Sequence, residues 1–188
     1  MAPYIFLDRD GTINIELPNY VQRWEQFRLL PGALEALKLL KESGFKVFVV
    51  TNQSCVARNI VSEEKVHEIN RLMCEEVEKA GGKIEKVYFC PHAPEVSDCK
   101  CRKPKDGLYR LAAEEFGFDP SGAYAIGDDG RDLAPAKALG GTVVLVKTGK
   151  SAAYVKGMWN IEPDFTAENI LDAARKVIEL EKQRGKER

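Results

Sequence analysis

Five short apolar runs punctuate the chain: YIFL at 4–7, FKVFVV at 45–50, KVYF at 86–89, AYAI at 123–126 and TVVLV at 142–146. Each is rich in β-branched and aromatic residues and apolar at consecutive rather than alternate positions, the pattern of a strand covered on both faces. Between the runs the apolar residues recur at helical spacing. Pro31 opens one predicted helix and Gly44 closes it, with Leu34, Leu37 and Leu39 or Leu40 inward. Ser62 is the predicted N-cap of a second, with Glu63 and Glu64 at its positive end and Val66, Ile69, Met73 and Val77 as its buried stripe. A third is expected after Pro104, carrying Leu108, Leu111 and Phe116 before Gly117, and a shorter one after Asp132. The last is predicted to begin near Thr166, to bury Ile170, Leu171, Ala174, Val177 and Ile178, and to dissolve into a charged tail at 181–188.

Alternation of this kind predicts an α/β fold: a Rossmann-like, doubly wound, mainly parallel sheet with helices on both faces and right-handed crossovers. The length of 188 residues fits one domain, 1–188, and the gaps between elements leave no room for a large cap domain. Such sheets bind ligands beyond the carboxyl ends of their strands. The polar clusters fall there: Asp8 and Asp10 after the first run, Thr51 and Asn52 after the second, Cys90 and His92 after the third, and Asp128, Asp129 and Asp132 after the fourth.

Charge narrows the choice of ligand. With 28 Lys and Arg against 29 Asp and Glu, the net charge of -1 provides no broad basic field for nucleic acid or an anionic membrane, so any anion must be met by a few placed residues. No apolar run approaches a membrane span and no secretion-type leader precedes the first strand, which predicts a cytoplasmic protein. The five cysteines, an odd number, argue against a disulfide framework. No heptad pattern calls for a partner, so a monomer is expected. Carboxylates converging on one crevice repel one another unless a cation holds them or some are protonated, and oxygen ligands with few imidazoles nearby suit Mg²⁺.

DRDGT at 8–12, Thr51 after an apolar strand, Lys103 in RKP and GDDGRD at 127–132 together resemble the four motifs of the haloacid dehalogenase superfamily of phosphotransferases. The resemblance spans nearly the whole chain. It implies that Asp8 is a nucleophile forming an aspartyl-phosphate and Asp10 the general acid and base. Thr51 and Lys103 would bind the transferring phosphoryl group. Mg²⁺ would sit on Asp8, the Asp10 carbonyl and Asp128, while Asp132 orients the metal shell or Lys103. A receiver-like signalling module also phosphorylates an aspartate on a doubly wound sheet, but a second acid at Asp10 that speeds hydrolysis would defeat a lasting signal.

A second constellation lies in FCPHAPEVSDCKCRKP at 89–104, where Cys90, His92, Cys99 and Cys101 share one loop. Three thiolates and an imidazole complete a closed tetrahedral zinc site, structural because no position stays open, and its expected purpose is to place Arg102 and Lys103. The other thiols, Cys55 and Cys74, are read as inert. This loop, with a small insertion after DRDGT, is similar to the heptose bisphosphate and histidinol-phosphate phosphatase branch. NYVQRWEQFRLLPGALEAL at 19–37 and TNQSCVARNIVSEEKV at 51–66 favour its heptose members, which implies removal of the 7-phosphate of D-glycero-D-manno-heptose 1,7-bisphosphate. The alternatives are histidinol phosphate or another small sugar phosphate. By that match Asn52, Gln53, Ser54, Arg102 and Lys103 touch substrate, with Arg58 beside them. Asp129 departs from the pattern, standing where a lysine often meets the second phosphate, and an anion there predicts weaker binding of a distal phosphate.

Overall fold

The computed structural model describes residues 2–149 and 161–186. Six parallel strands form one sheet in the order β3-β2-β1-β4-β5-β6. They are β1 (Tyr4–Leu7), β2 (Lys46–Asn52), β3 (Lys86–Cys90), β4 (Tyr124–Gly127), β5 (Thr142–Val146) and β6 (Phe165–Ala167). Five of them coincide, within two residues at either end, with the apolar runs. Because strand side chains alternate between faces, each run feeds two cores at once. Ile5, Leu7, Val47, Val49, Tyr124, Ile126, Val144 and Val146 pack under α1 (Ala33–Glu42), α2 (Glu63–Lys79) and α5 (Ile170–Lys186). Phe6, Phe48, Val50, Ala125, Val143 and Leu145 pack under α3 (Gly107–Phe116) and α4 (Gly130–Ala138). The rings of Tyr4, Phe6, Tyr88, Phe116 and Phe118 surround Phe48. Truncating so enclosed an aromatic to alanine costs about 3–5 kcal/mol.

Helix ends follow the expected chemistry in α2, where Ser62 Oγ accepts from the Lys65 N–H and Val66, Ile69, Met73 and Val77 are buried. In α3, which begins after Pro104 as expected, the buried stripe is Leu108, Tyr109, Ala112 and Ala113, and Leu111 and Phe116 are exposed. Two expectations are corrected. The helix predicted after Asp132 begins before it: Asp129 is its N-cap, accepting from the Arg131 N–H, and Asp132 reaches back to the Asp129 N–H as a capping box. Thr166 lies in strand β6, not in a helix, and α5 starts at Ile170 and runs through the charged segment to Lys186, so only 187–188 of that tail lie outside the described residues.

The strand order places the site. The chain winds outward from β1 to β3, then returns to pair β4 against the other side of β1, so the crevice opens beyond β1 and β4. The Asp8 N–H donates to the Ile126 carbonyl at 3.0 Å, which fixes the end of β1 beside the end of β4.

Candidate active site and metal centre

Asp8 lies in the crevice just past β1, buried, with Lys103 against it. The Lys103 ammonium donates to Asp8 Oδ1 at 2.6 Å and to the Val50 carbonyl at 2.6 Å, and pairs with Asp132 Oδ1 at 2.8 Å. A lysine with almost no exposure survives there because two carboxylates compensate its charge; burial alone would lower its pKa, but Asp132 and Asp8 raise it overall. Burial, chiefly, and then the Asp132 charge push the Asp8 carboxyl up to about 7 in spite of Lys103. Asp8, Asp128 and Asp132 bring one oxygen each within 4.8 Å of one another.

This donor set fits a hard divalent cation, and the backbone is shaped to keep it. Gly11 holds φ at +89°, where a Cβ would come 2.5 Å from Asp128 Oδ2, and Gly149, at φ +58°, would place one 2.2 Å from the same oxygen. Two glycines therefore make room for one carboxylate. Asp132 has both oxygens engaged, Oδ1 with Lys103 and Oδ2 accepting from the Asp129 N–H at 3.2 Å, which suits it to orienting Lys103.

Asp10 is gripped from three sides. The Arg9 fork meets it through Nε to Oδ2 at 3.2 Å and Nη2 to Oδ1 and Oδ2 at 3.1 and 2.9 Å; Asn14 donates to Oδ1 at 2.9 Å and Gln53 to Oδ2 at 2.7 Å. Burial opposes ionisation, but Arg9, Asn14 and Gln53 together outweigh it and hold the Asp10 carboxyl below the usual carboxylate range. Thr51 Oγ1, buried at the end of β2, accepts from the same Gln53 Nε2 at 2.9 Å.

The residues expected to touch substrate divide into two groups. Ser54, Arg58 and Arg102 line a cavity of about 570 Å³ together with Asp8, Asp10 and Asp128. Gln53 instead lies beneath it, tying Asp10 to Thr51. Asn52 reaches the cavity wall, but its carboxamide is bonded to Lys103: Nδ2 donates to the Lys103 carbonyl at 3.1 Å and Oδ1 accepts from the Lys103 N–H at 3.1 Å. Asn52 thus holds the lysine's backbone as a neighbouring strand would.

Two cavity residues have no signal in the sequence pattern. Tyr20 sits at φ +61°, with its hydroxyl 3.0 Å from Ser54 Oγ and accepting from Arg58 Nη1, while Arg58 Nη2 donates to Glu95 Oε1 at 2.6 Å. Arg131 donates through Nη2 to Asp129 Oδ2 at 2.5 Å, so the anion at 129 is an N-cap with a guanidinium folded onto it. Only the assembled fold places either side chain at the cavity.

In the loop after β3, Cys90 Sγ lies 3.6 Å from both His92 Nδ1 and Cys99 Sγ, and Cys101 Sγ lies 3.2 Å from His92 Nδ1 and 3.1 Å from Cys90 Sγ. Zinc–sulfur and zinc–nitrogen bonds of about 2.3 and 2.0 Å imply tetrahedral edges of about 3.5–3.8 Å, so two edges match and the other two are tighter by about 0.3 and 0.7 Å. The three sulfurs and the imidazole nitrogen lie within 4.8 Å of one another, and the sulfur separations are far beyond a disulfide bond. Hydrogen bonds from Cys101 and Cys90 overcome burial and bring the Cys99 thiol down to about 6. The donor set fits structural Zn²⁺. Arg102 and Lys103 follow directly, and Arg102 Nη1 donates to the His92 carbonyl at 3.1 Å. Cys74, by contrast, is pushed up to about 11 by burial and the acids around it.

The profile of the HAD-hydrolase-like family matches residues 100–173, and that of the polynucleotide kinase 3 phosphatase family matches residues 5–132. The D-glycero-beta-D-manno-heptose-1,7-bisphosphate 7-phosphatase of Yersinia pestis is 39% identical over 156 residues, covering 79% of this chain and 82% of that protein. The Haemophilus influenzae protein of the same name is 36% identical over 190 aligned residues, covering 97% of this chain and 100% of its own. Among solved structures, D,D-heptose 1,7-bisphosphate phosphatase from B. bronchiseptica, complexed with magnesium and phosphate, superposes with a TM-score of 0.88 at 31% identity, over 95% of this chain and 99% of that one.

Proposed function

The chain belongs to the haloacid dehalogenase-like phosphatases, and from that premise we propose that it removes the 7-phosphate of D-glycero-D-manno-heptose 1,7-bisphosphate through an aspartyl-phosphate on Asp8. One observation carries the reading: Asp8, Asp10, Thr51 and Asp128, from the ends of three strands, line one cavity, and Lys103, from the segment between β3 and α3, bonds Asp8 there. Asp8 attacks phosphorus with the oxygen not bonded to Lys103, the ester P–O bond breaks, and the leaving alkoxide takes a proton from Asp10. Water then attacks the acyl phosphate, Asp10 takes its proton, and inorganic phosphate departs. The Lys103 ammonium and Thr51 hydroxyl offset the charge on the phosphoryl oxygens.

Asp10 rests ionised, so it takes up a proton when the incoming phosphate dianion raises its proton affinity, before the ester breaks. Asp8, the Asp10 carbonyl and Asp128 would hold Mg²⁺, which would supply a counter-charge to the phosphoryl oxygens. Cys90, His92, Cys99 and Cys101 would hold a structural Zn²⁺ and so tie down the segment that carries Arg102 and Lys103.

For the substrate, the relatives' names and the cavity's charges agree. Arg58, Arg102 and Arg131 line it beyond the catalytic carboxylates, and the Arg131 guanidinium on Asp129 offsets the anion that the sequence places there. A second phosphate is therefore met by cations. The test compares kcat/KM with Mg²⁺ for both anomers of the heptose 1,7-bisphosphate, a heptose 7-phosphate and histidinol phosphate, with Arg131→Ala alongside. We expect the bisphosphate to be preferred by at least about tenfold, as a charge-assisted contact of about 1.5–3 kcal/mol dictates, and Arg131→Ala to erase that preference. Preference for histidinol phosphate would move the assignment within the branch; no turnover of any of them would refute it.

A further inference from the structure

Arg9 and Asn70 are buried polar residues bonded to one another. Asn70 interrupts the apolar face of α2 between Ile69 and Met73, in a position where a leucine would extend the stripe. Its Oδ1 accepts from Arg9 Nη1 at 2.8 Å, 61 residues away in sequence, and its Nδ2 is buried without a hydrogen-bond partner. A buried, unsatisfied amide N–H opposes folding. Arg9 itself is among the largest fully buried side chains of the protein. With Nη1 held by Asn70, the remaining guanidinium nitrogens, Nε and Nη2, point at Asp10 and close a planar fork on its two oxygens.

We propose that Arg9, anchored by Asn70, is a positioning residue for Asp10, fixing the plane from which its carboxyl delivers a proton to the leaving oxygen. The inference rests on the assignment of Asp10 as general acid. The chain of contacts has a mechanical logic: a guanidinium is rigid and planar, so an anchor at Nη1 sets the orientation of the Nε/Nη2 edge, and a bidentate contact transmits that orientation to the carboxylate. Gln53 and Asn14 hold the same carboxylate from other directions but neither reaches α2. The helix thereby contributes to proton transfer without a side chain in the cavity, since Asn70 does not line it.

General-acid help matters in proportion to how poor the leaving group is, which gives a readout that loss of structure would not imitate. In kcat/KM, which reports the steps through departure of the leaving group, an alkyl phosphate requires the proton whereas 4-nitrophenyl phosphate does not. Asn70→Leu removes the anchor and the unsatisfied N–H together, and Arg9→Lys keeps the charge but loses the fork. Both are expected to lower kcat/KM for an alkyl phosphate by about tenfold or more, a fraction of the 10²–10⁴ that general acid catalysis supplies. They should leave 4-nitrophenyl phosphate within about twofold, so the dependence on leaving-group pKa steepens. Asn70→Asp, which retains the acceptor, should restore alkyl turnover. Equal losses on both substrates, or none on either, in whichever variant folds overturn the proposal. If the wild-type protein fails to turn over any phosphate ester with Mg²⁺, or Asp8→Asn retains turnover, it is the phosphatase assignment that fails instead.

Discussion

Asp8→Asn should abolish turnover and, in Mg²⁺-free buffer at pH 8, make the protein more stable. The Asp8 carboxyl is pushed from 3.8 to about 7, by burial first and by Asp132 next, against the pull of Lys103. A folded state that keeps this proton to about 7, while the unfolded chain sheds it near 3.8, binds more protons in between. Stability from this group is therefore complete below 3.8 and is lost as pH rises through about 7. Each tenfold change in proton affinity is about 1.4 kcal/mol, so the loss approaches about 4 kcal/mol above pH 7.

Asparagine mimics the protonated acid, still offers Lys103 an oxygen, and escapes the loss. At about 2–4 °C per kcal/mol for a chain of this size, the variant should melt about 10 °C higher at pH 8 and at the same temperature as wild type near pH 4. Thermal melts of both proteins across that range give the answer as a difference, in which the pH dependence of the Cys90, His92, Cys99 and Cys101 cluster cancels. Mg²⁺ should then raise the wild-type melting temperature more than the variant's, because the variant has lost a charged ligand. A gap that is zero or reversed at pH 8 would refute the claim that this carboxylate is held against its own electrostatics in readiness for a cation.

Replacing Cys99 and Cys101 together by serine should eliminate bound zinc by metal analysis, lower the melting temperature and reduce kcat/KM by about 10–100-fold, the usual cost of disturbing a supporting shell; unchanged kcat/KM would sever the link from that loop to Arg102 and Lys103. Gly11→Ala should destabilise the fold by about 1–3 kcal/mol through its positive φ and raise the Mg²⁺ concentration needed for half-maximal rate, since the new Cβ meets Asp128 Oδ2 at 2.5 Å. A Mg²⁺ titration identical to wild type would show that Asp128 does not help hold the cation.

Strands β1, β2, β4 and β5 were legible because they are buried on both faces, which writes itself into the chain as a continuous apolar run, and β3 because its one buried and one half-buried face still give consecutive apolar residues. β6 was not: two half-buried residues flanking an exposed one at the sheet edge leave no such run, and Thr166 reads as a helix start. In α3 the sequence marked the helix and its Leu108, Leu111 and Phe116 but not the face that the sheet covers, which is Leu108, Tyr109 and two alanines. Among the candidate site residues, Asp8, Asp10, Thr51 and Asp128 stand out in the sequence by their place at strand ends, whereas only the likeness to the family motif marks Lys103. Gln53 and Asn52 were expected to touch substrate; the structure sets Gln53 beneath the cavity and bonds Asn52 to the Lys103 backbone.

What the sequence alone determined is the set of groups available at one rim and the order in which strands deliver them, because apolar period and turn chemistry act over a few residues. Only the tertiary structure decided what each group faces: Lys103 between Asp8 and Asp132, Asn52 on the Lys103 backbone, Arg131 on Asp129, and Asn70 behind Arg9. Those pairings join residues up to 95 positions apart. Their energies depend on burial and on distances of a few ångströms, which exist only once the sheet has assembled.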